Sequence, residues 1–291
     1  MPHTPLNLTP QPAPQRPMMQ EPQRPPYLLH LARALRAVVG RELLKFLRQP
    51  SRLASSLVRP LLWFVVFSAG FHNVFGVAII PPYETYVEYK VYMLPGLLGM
   101  IALFNGMQSS LSMVYDREMG VMRLLLTAPL PRGWLLVFKL LASTALSLLQ
   151  MLVFLLIALA FGVEADLTHW LLAIPVMALG ATMLAALGLM LSVYIKQLEN
   201  FAGTMNFVIF PMFFISTALY PLWKVEESGA LWLVQIAQLN PFTYVVELIR
   251  FALQGQFNAQ ALAVVLVGCA VFFGLALRGY DPQRGWTKQR A

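Results

Sequence analysis

The chain has 291 residues, of which 58% are hydrophobic and only 12% are charged, and its mean hydropathy is +0.64. A soluble domain carries about 25% charged residues, so this surface is not built to face water on all sides. The net charge of +8 would favour nucleic-acid binding in a soluble protein, but the composition excludes that class and indicates a lipid bilayer. The single cysteine, Cys269, excludes an internal disulfide and a cysteine-based metal cluster.

The chain begins with a proline-rich segment that holds nine of the 21 prolines within its first 26 residues. This composition predicts a disordered cytoplasmic tail over 1–27, with a proline-motif docking site as the alternative. Residues 28–50 then alternate apolar and basic faces at helical spacing, for example Leu31 and Leu35 against Arg33 and Arg36. They predict an amphipathic interfacial helix whose basic side meets anionic headgroups. A short helix facing water is the alternative.

Six apolar runs are long enough to be read as membrane-spanning helices, which need about 20 mostly apolar residues. Together they predict a transmembrane domain over 57–278, followed by a basic cytoplasmic tail over 279–291. The predicted spans are 57–74, 91–114, 135–162, 170–195, 201–220 and 261–277.

The positions of the basic residues predict how the six spans are oriented. If the N-terminus is cytoplasmic, the inner segments hold 18 of the 21 Lys and Arg residues and the outer segments hold three. Lys and Arg orient membrane proteins, whereas acidic residues contribute little. The distribution therefore predicts six spans with both termini in the cytoplasm.

Several kinds of chemistry lack a visible motif. The sequence contains no P-loop, no HExxH and no CxxC. A zinc enzyme or a membrane protease would therefore lack a recognisable set of catalytic or metal-binding residues. The spans carry almost no ionisable residue at depth, although proton relays and ion-coupled pumps are usually built from such residues. Energy for active transport would therefore have to enter through another subunit.

The first remaining motif lies between spans two and three. It runs from Tyr115 through Asp116, Arg117, Glu118 and Gly120, and continues to Leu124, Pro129 and Lys139. We expect a short cytoplasmic helix with acidic residues near its start, ended by the turn at Pro129. Such a helix can seat in a partner's groove. A membrane-surface loop that only connects two spans is the alternative.

The second motif follows span five and includes Asn240, Pro241, Phe242, Tyr244, Glu247 and Arg250. Asn240 before Pro241 suits a helix start, and Glu247 and Arg250 are spaced to pair on that helix. We expect a re-entrant or interfacial element on the outer side, with an ordinary aromatic-belted loop as the alternative. In span four, Gly180, Ala181, Ala185 and Gly188 permit close helix contact.

Both motifs, at these places between these spans, make the chain resemble the type-2 ABC transporter permeases over about residues 28–280. The likeness is to the membrane subunits of drug, nodulation-factor and polysaccharide exporters, most of all the first two. The resemblance implies a separate ABC ATP-binding subunit that holds ATP and Mg, with no cofactor on this chain, and a second permease chain.

The resemblance also assigns roles along the chain. It implies that 28–48 is the connecting helix, that 116–129 is the coupling helix on the ATPase, and that 240–250 is the outer re-entrant hairpin. The expected fold is an all-α integral membrane protein with six transmembrane helices after an amphipathic interfacial helix, and a short re-entrant outer hairpin between spans five and six.

The expected function is transport without catalysis. The resemblance implies a permease of the inner membrane that exports its substrate. The apolar and aromatic residues available to line a path favour an amphipathic or lipid-like substrate. Candidate path residues are Phe104, Asn105, Phe213 and Phe214. An ion-coupled or facilitative carrier is the first alternative, and a membrane enzyme or assembly factor is the second.

Overall fold

The computed structural model describes residues 27–48, 50–70, 81–83, 87–120, 132–164 and 166–280. Within these ranges ten helices follow one another along the chain. They are α1 (Tyr27–Leu47), α2 (Pro50–Gly70), α3 (Tyr89–Glu118), α4 (Arg132–Ala160), α5 (Leu167–Tyr194), α6 (Leu198–Phe214), α7 (Leu222–Glu227), α8 (Leu231–Leu239), α9 (Pro241–Leu253) and α10 (Ala259–Gly279).

Four helices in the described part are long and apolar enough to cross a membrane: α3, α4 over Gly133–Ala160, α5 and α10. The expectation of a helical membrane protein is confirmed at this level. In α2 the part whose side chains are described, Ser56–Gly70, is apolar but short, and α6 has 17 residues. Seventeen helical residues reach about 26 Å, short of the roughly 30 Å hydrocarbon layer. The six-span topology therefore stays a prediction.

Helices α3 and α5 form the centre of the bundle and cross where both carry glycine. A Cβ on Gly106 would lie 2.9 Å from the Cα of Ala185, and one on Gly188 would lie 2.7 Å from the carbonyl oxygen of Gly106. Backbone atoms cannot give way cheaply, so only hydrogen fits at either position. The small residues of span four thus mark a close α3–α5 crossing of the kind that apolar surroundings favour.

Helix α9 is part of the bundle interior rather than a surface loop. Phe242, Val245, Val246 and Ile249 are fully buried, and Val245 fills the space left by Gly180 of α5. With 13 residues, α9 is too short to span a bilayer. The stretch predicted as a re-entrant hairpin, 240–250, is a single helical stretch made of the Asn240 cap and most of α9, and α8 precedes it. The hairpin and its depth in the membrane stay predictions.

One local expectation is wrong. Asp116, Arg117 and Glu118 were expected near the start of a separate loop helix, but they form the last turn of α3, which ends at Glu118. The helix continues because the backbone N–H of Met119 still donates to the carbonyl of Tyr115. The chain leaves the helical path at Gly120, whose φ is +72°. Residues other than glycine rarely adopt this left-handed conformation.

Helix α5 starts at an aspartate cap outside its apolar segment. The backbone N–H of Thr168 donates to the Asp166 carboxylate at 2.9 Å. This hydrogen bond holds the pKa of Asp166 below its ordinary value, since it favours the ionised form. The charged carboxylate also suits the positive end of the α5 dipole.

Candidate functional site

The last turn of α3 ties three other helices together. Asp116 accepts from Lys139 Nζ of α4 at 3.0 Å, and Arg117 donates to the carbonyl of Ser192 near the end of α5. Glu118 Oε1 accepts from the backbone N–H of Leu198, the first residue of α6, at 2.8 Å. Three consecutive side chains therefore fix the relative positions of α3, α4, α5 and α6 at one end of the bundle, which we call the Asp116 end.

The electrostatics of this turn explain how two acids are tolerated at a helix C-terminus, where the dipole opposes negative charge. Asp116 is neutralised by Lys139 with both side chains mostly buried. The Glu118 carboxylate lies at the N-terminus of α6, where unpaired N–H groups and a positive dipole end favour an anion. Each acid is thus stabilised by a neighbouring helix, which makes the turn depend on how those helices are placed.

A polar seam joins this turn to the middle of the bundle. Asn105 lies eleven residues before Asp116 on α3, and Gln150 lies eleven residues after Lys139 on α4. Asn105 Nδ2 donates to Gln150 Oε1 at 2.7 Å, so both pairs obey one antiparallel register. At helical spacing the same faces carry the serines 109 and 112 on α3 and 143 and 147 on α4.

At its Asn105–Gln150 end, the seam opens into a cavity between α2, α3 and α4. Its volume is about 310 Å³, and its lining includes Asn105, Gln108 and Gln150. Arg59 of α2 also lines it and places its guanidinium 4.0 Å from the ring centroid of Phe104. This is a cation–π contact, and Arg59 itself is exposed.

Gln150, which lines the cavity, carries a buried donor without a partner in the part of the chain that the structure describes. Its side chain is 1% exposed, and Nε2 finds no hydrogen-bond partner within the described residues. The hydroxyls of Ser143 and Ser147 lack a partner in the same part of the chain. Unpaired buried polar groups cost about 1–3 kcal/mol each, so they mark a place where a further polar ligand would be stabilised.

Asn240 joins three segments at the opposite end of the bundle, which we call the Arg250 end. Its Oδ1 accepts from the N–H of Phe242 at 3.0 Å, which caps α9 as the sequence predicts. Its Nδ2 donates to the carbonyls of Met212 at 2.7 Å and Ile215 at 2.6 Å. One amide side chain therefore starts α9 and also holds the last turn of α6.

Arg250 completes this end and is only 3% exposed. It forms an ion pair with Glu247, as the spacing predicts, and donates to the carbonyl of Thr217 at 2.6 Å. Its guanidinium also lies 4.2 Å from the ring centroid of Tyr92, whose hydroxyl donates to the same Thr217 carbonyl at 3.2 Å. The segment after α6 is thus held by groups from α3 and α9.

The sequence-predicted residues fall into separate places. Phe104 and Asn105 line the cavity, whereas Phe213 is buried against Phe214 and Phe242 and neither Phe213 nor Phe214 lines it. Pro241 and Tyr244 lie in α9 beside the Asn240 cap. The other two predicted coupling residues, Leu124 and Pro129, lie outside the described residues.

Sequence reasoning missed Arg59, Gln150 and the carbonyl-bearing turn at Thr217. The signal for Gln150 was present in the sequence. Polar residues recur every three or four positions from Asn105 to Asp116 along span two and from Lys139 to Gln150 along span three. Arg59 carried no comparable signal, because its ring partner is 45 residues away. In the described part of the chain, no group of three or more His, Cys, Asp or Glu could hold a metal ion.

The apolar helices, the buried polar seam and the cavity between α2, α3 and α4 are consistent with a helical membrane protein. The comparisons with known proteins then identify the family: the ABC-2 type transporter family matches residues 33–253. This chain belongs to that family and is a membrane permease.

Curated relatives agree with this assignment. The protein named "Putative transport permease ycf38" from Porphyra purpurea is 31% identical over 232 residues, 77% of this chain and 75% of the relative. The protein of the same name from Pyropia yezoensis is 31% identical over 77% of this chain and 75% of the relative, and that from Cyanophora paradoxa is 30% identical over 74% and 72%.

Proposed function

We propose that this permease is the membrane subunit of an ATP-driven exporter for an amphipathic or lipid-like substrate. A separate ABC ATP-binding subunit holds ATP and Mg, and this chain binds no cofactor of its own. Two permease chains pair to form the transport path. The protein lies in the inner membrane, and both of its termini face the cytoplasm.

The observation that carries the proposal is the α3 turn at Asp116, Arg117 and Glu118. The family membership implies an ATP-binding partner, and this turn directly precedes the segment predicted to be the inner loop between spans two and three. A force applied to that loop acts first on side chains that hold α4, α5 and α6. Small displacements there would move packed helices together, which is how closely packed interfaces convert local events into rigid-body shifts.

The test is reconstitution of the full chain in vesicles with the ATP-binding subunit that copurifies with it from host membranes. We expect ATP-dependent accumulation of a fluorescent amphiphile, and no transport by the chain alone. Glu118→Ala removes the bond to Leu198 and should lower transport per ATP hydrolysed at least about fivefold, as a coupling change of 1–3 kcal/mol would. Gly120→Ala should act in the same direction, since the left-handed backbone there is strained by a Cβ.

Glu227→Gln is the matched control, because Glu227 is an exposed acid in α7 at the far end of the bundle. It should leave the ratio of transport to hydrolysis unchanged. Transport by the purified chain without any ATPase would overturn the proposal in favour of a facilitative or ion-coupled carrier. Labelling of a cysteine placed at Arg123 from the outer side of sealed cells would overturn the predicted topology.

A further inference from the structure

The cavity between α2, α3 and α4 has the composition of a binding site rather than of a packing defect. A dry packing void is lined by apolar groups only. This cavity of about 310 Å³ combines the amides of Asn105, Gln108 and Gln150 with the apolar groups of Met100, Ile101 and Leu111. We infer that it binds the anionic headgroup of an amphiphile, with Arg59 as the charged contact and Gln150 as a hydrogen-bond donor.

The sign of the headgroup follows from the charge of the wall. Among the described residues that line the cavity, Arg59 carries the only charge, and its guanidinium is held over the face of Phe104 at 4.0 Å. That contact fixes the position of the guanidinium without using up its five N–H donors. A carboxylate or phosphate oxygen can therefore take them, and such charge-assisted bonds are about twice as strong as neutral ones.

Gln150 supplies the second contact. Its Oε1 already accepts from Asn105 at 2.7 Å, and its buried Nε2 is left as an unpaired donor within the described residues. An anion is acceptor-only, so it satisfies this donor, whereas a cation or a second amide donor would not. Both unsatisfied features of the cavity thus demand the same chemistry.

The surroundings indicate an amphiphile rather than a free anion. The apolar side chains of Met100, Ile101 and Leu111 in the cavity wall offer no hydrogen-bonding group, so they suit hydrocarbon rather than the remaining hydration shell of a small ion. On α2, Val58 and Leu62 flank Arg59 along the helix and are exposed on the outer face of the bundle. A hydrocarbon tail can lie along that face while its headgroup reaches Arg59 in the cavity.

The site deepens the proposed function by naming its substrate class; transport of such a molecule rests on that function, whereas binding does not. Binding is measured on the full chain alone, without nucleotide, in zwitterionic phosphatidylcholine nanodiscs. The probe is a diazirine-bearing hexadecanoate, and the neutral comparison is the matching diazirine hexadecanol. We expect saturable labelling of α2 and α3 peptides by the acid, displaced by unlabelled hexadecanoate but not by hexadecanol.

Arg59→Gln should weaken the labelling about tenfold and abolish the preference for the acid, and Gln150→Leu should weaken it several-fold. Arg59→Lys keeps the charge and should retain most of the binding, which separates loss of charge from loss of folding. The matched control is Lys224→Gln, which removes a cation 5.4 Å from the Trp223 ring outside the cavity. It should change nothing.

Competing ligands identify the source of the headgroup. Displacement by phosphatidylglycerol added to the nanodiscs would assign the site to a bilayer lipid, and resistance to it would assign the site to a free amphiphile; either supports the inference. Equal labelling by acid and alcohol, full binding by Arg59→Gln, or displacement by inorganic phosphate alone would overturn it. None of these binding results depends on an ATPase. ATP-coupled transport can therefore fail while binding is observed, and binding can fail while transport is observed, so the two proposals are tested separately.

Discussion

Asn105 and Gln150 are 45 residues apart in the chain, and a 2.7 Å hydrogen bond joins their side chains halfway along α3, where both are almost completely buried. Asp116 and Lys139 make the second bond between the same two helices, eleven residues away on each, in the same register. The two pairs fix the axial register of α4 against α3, because a shift of one helix by one residue would break both hydrogen bonds. The seam links the Asp116 end to the cavity through rigid helices.

The Asn105–Gln150 pair predicts a non-additive mutant cycle. Asn105→Leu should destabilise the protein by about 1–3 kcal/mol, because it leaves Gln150 buried with both of its polar ends unpaired. Gln150→Leu should act similarly. The double variant should be more stable than either single variant, since both polar partners are then replaced by apolar groups. Thermal unfolding of the detergent-solubilised chain measures this, and losses that simply add would refute the pairing.

The α3–α5 crossing predicts strong intolerance at Gly106. Gly106→Ala places a Cβ 2.9 Å from backbone atoms of Ala185 and Leu184, so the helices must separate, at a cost of about 1–3 kcal/mol. Gly274→Ala in α10 is the control, because nothing lies within 4 Å of its new Cβ. It should be neutral or slightly stabilising through helix propensity. Comparable unfolding temperatures for the two variants would contradict the close crossing.

Asn240 should contribute more stability than an ordinary helix cap. Asn240→Ala removes the cap of α9 and leaves the carbonyls of Met212 and Ile215 without their donor, so we expect a loss of about 2–4 kcal/mol. Asn258→Ala removes the cap of α10, where the side chain accepts from Ala261, and should cost about 1 kcal/mol. Equal losses in a denaturation series would show that the contacts to α6 contribute nothing.

The buried Arg250 predicts an asymmetry between breaking and removing its ion pair. Arg250→Met leaves Glu247 without its partner and removes one of the two donors to the Thr217 carbonyl, the other being the Tyr92 hydroxyl, and should cost about 3–5 kcal/mol. Adding Glu247→Leu removes the uncompensated charge and should recover part of that loss. The comparison is made by thermal unfolding of purified chains. A double variant less stable than Arg250→Met alone would contradict this account.

Much of the Arg250 end was readable in the sequence because its signals are local. An asparagine before a proline predicts a capped helix start, and acid and base three residues apart predict a pair; both occur at Asn240 and at Glu247 with Arg250. The partners of these groups were not predictable. Met212, Ile215 and Thr217 contribute backbone carbonyls, which every residue possesses, so their identity carries no signal.

The acidic turn shows where local rules give the wrong answer. Acids near a helix start are favourable, and that rule placed Asp116 and Glu118 at the beginning of a new helix. In the structure they end α3, because Lys139 and the N-terminus of α6 stabilise them from other parts of the chain. Local propensity was overridden by tertiary contacts that no window of sequence contains.

Apolar run lengths and the uneven placement of Lys and Arg determined, without any coordinates, that this is a helical membrane protein, since a bilayer imposes its thickness on every span. Which helices touch, and at which residues, was decided only in three dimensions. Hydrophobic burial is non-directional and so leaves register open, whereas hydrogen bonds such as Asn105 to Gln150 and the steric fit of Gly106 on Ala185 are directional. The bond from Asn105 to Gln150 and the contact of Arg59 with the Phe104 ring bring residues of three helices around one cavity.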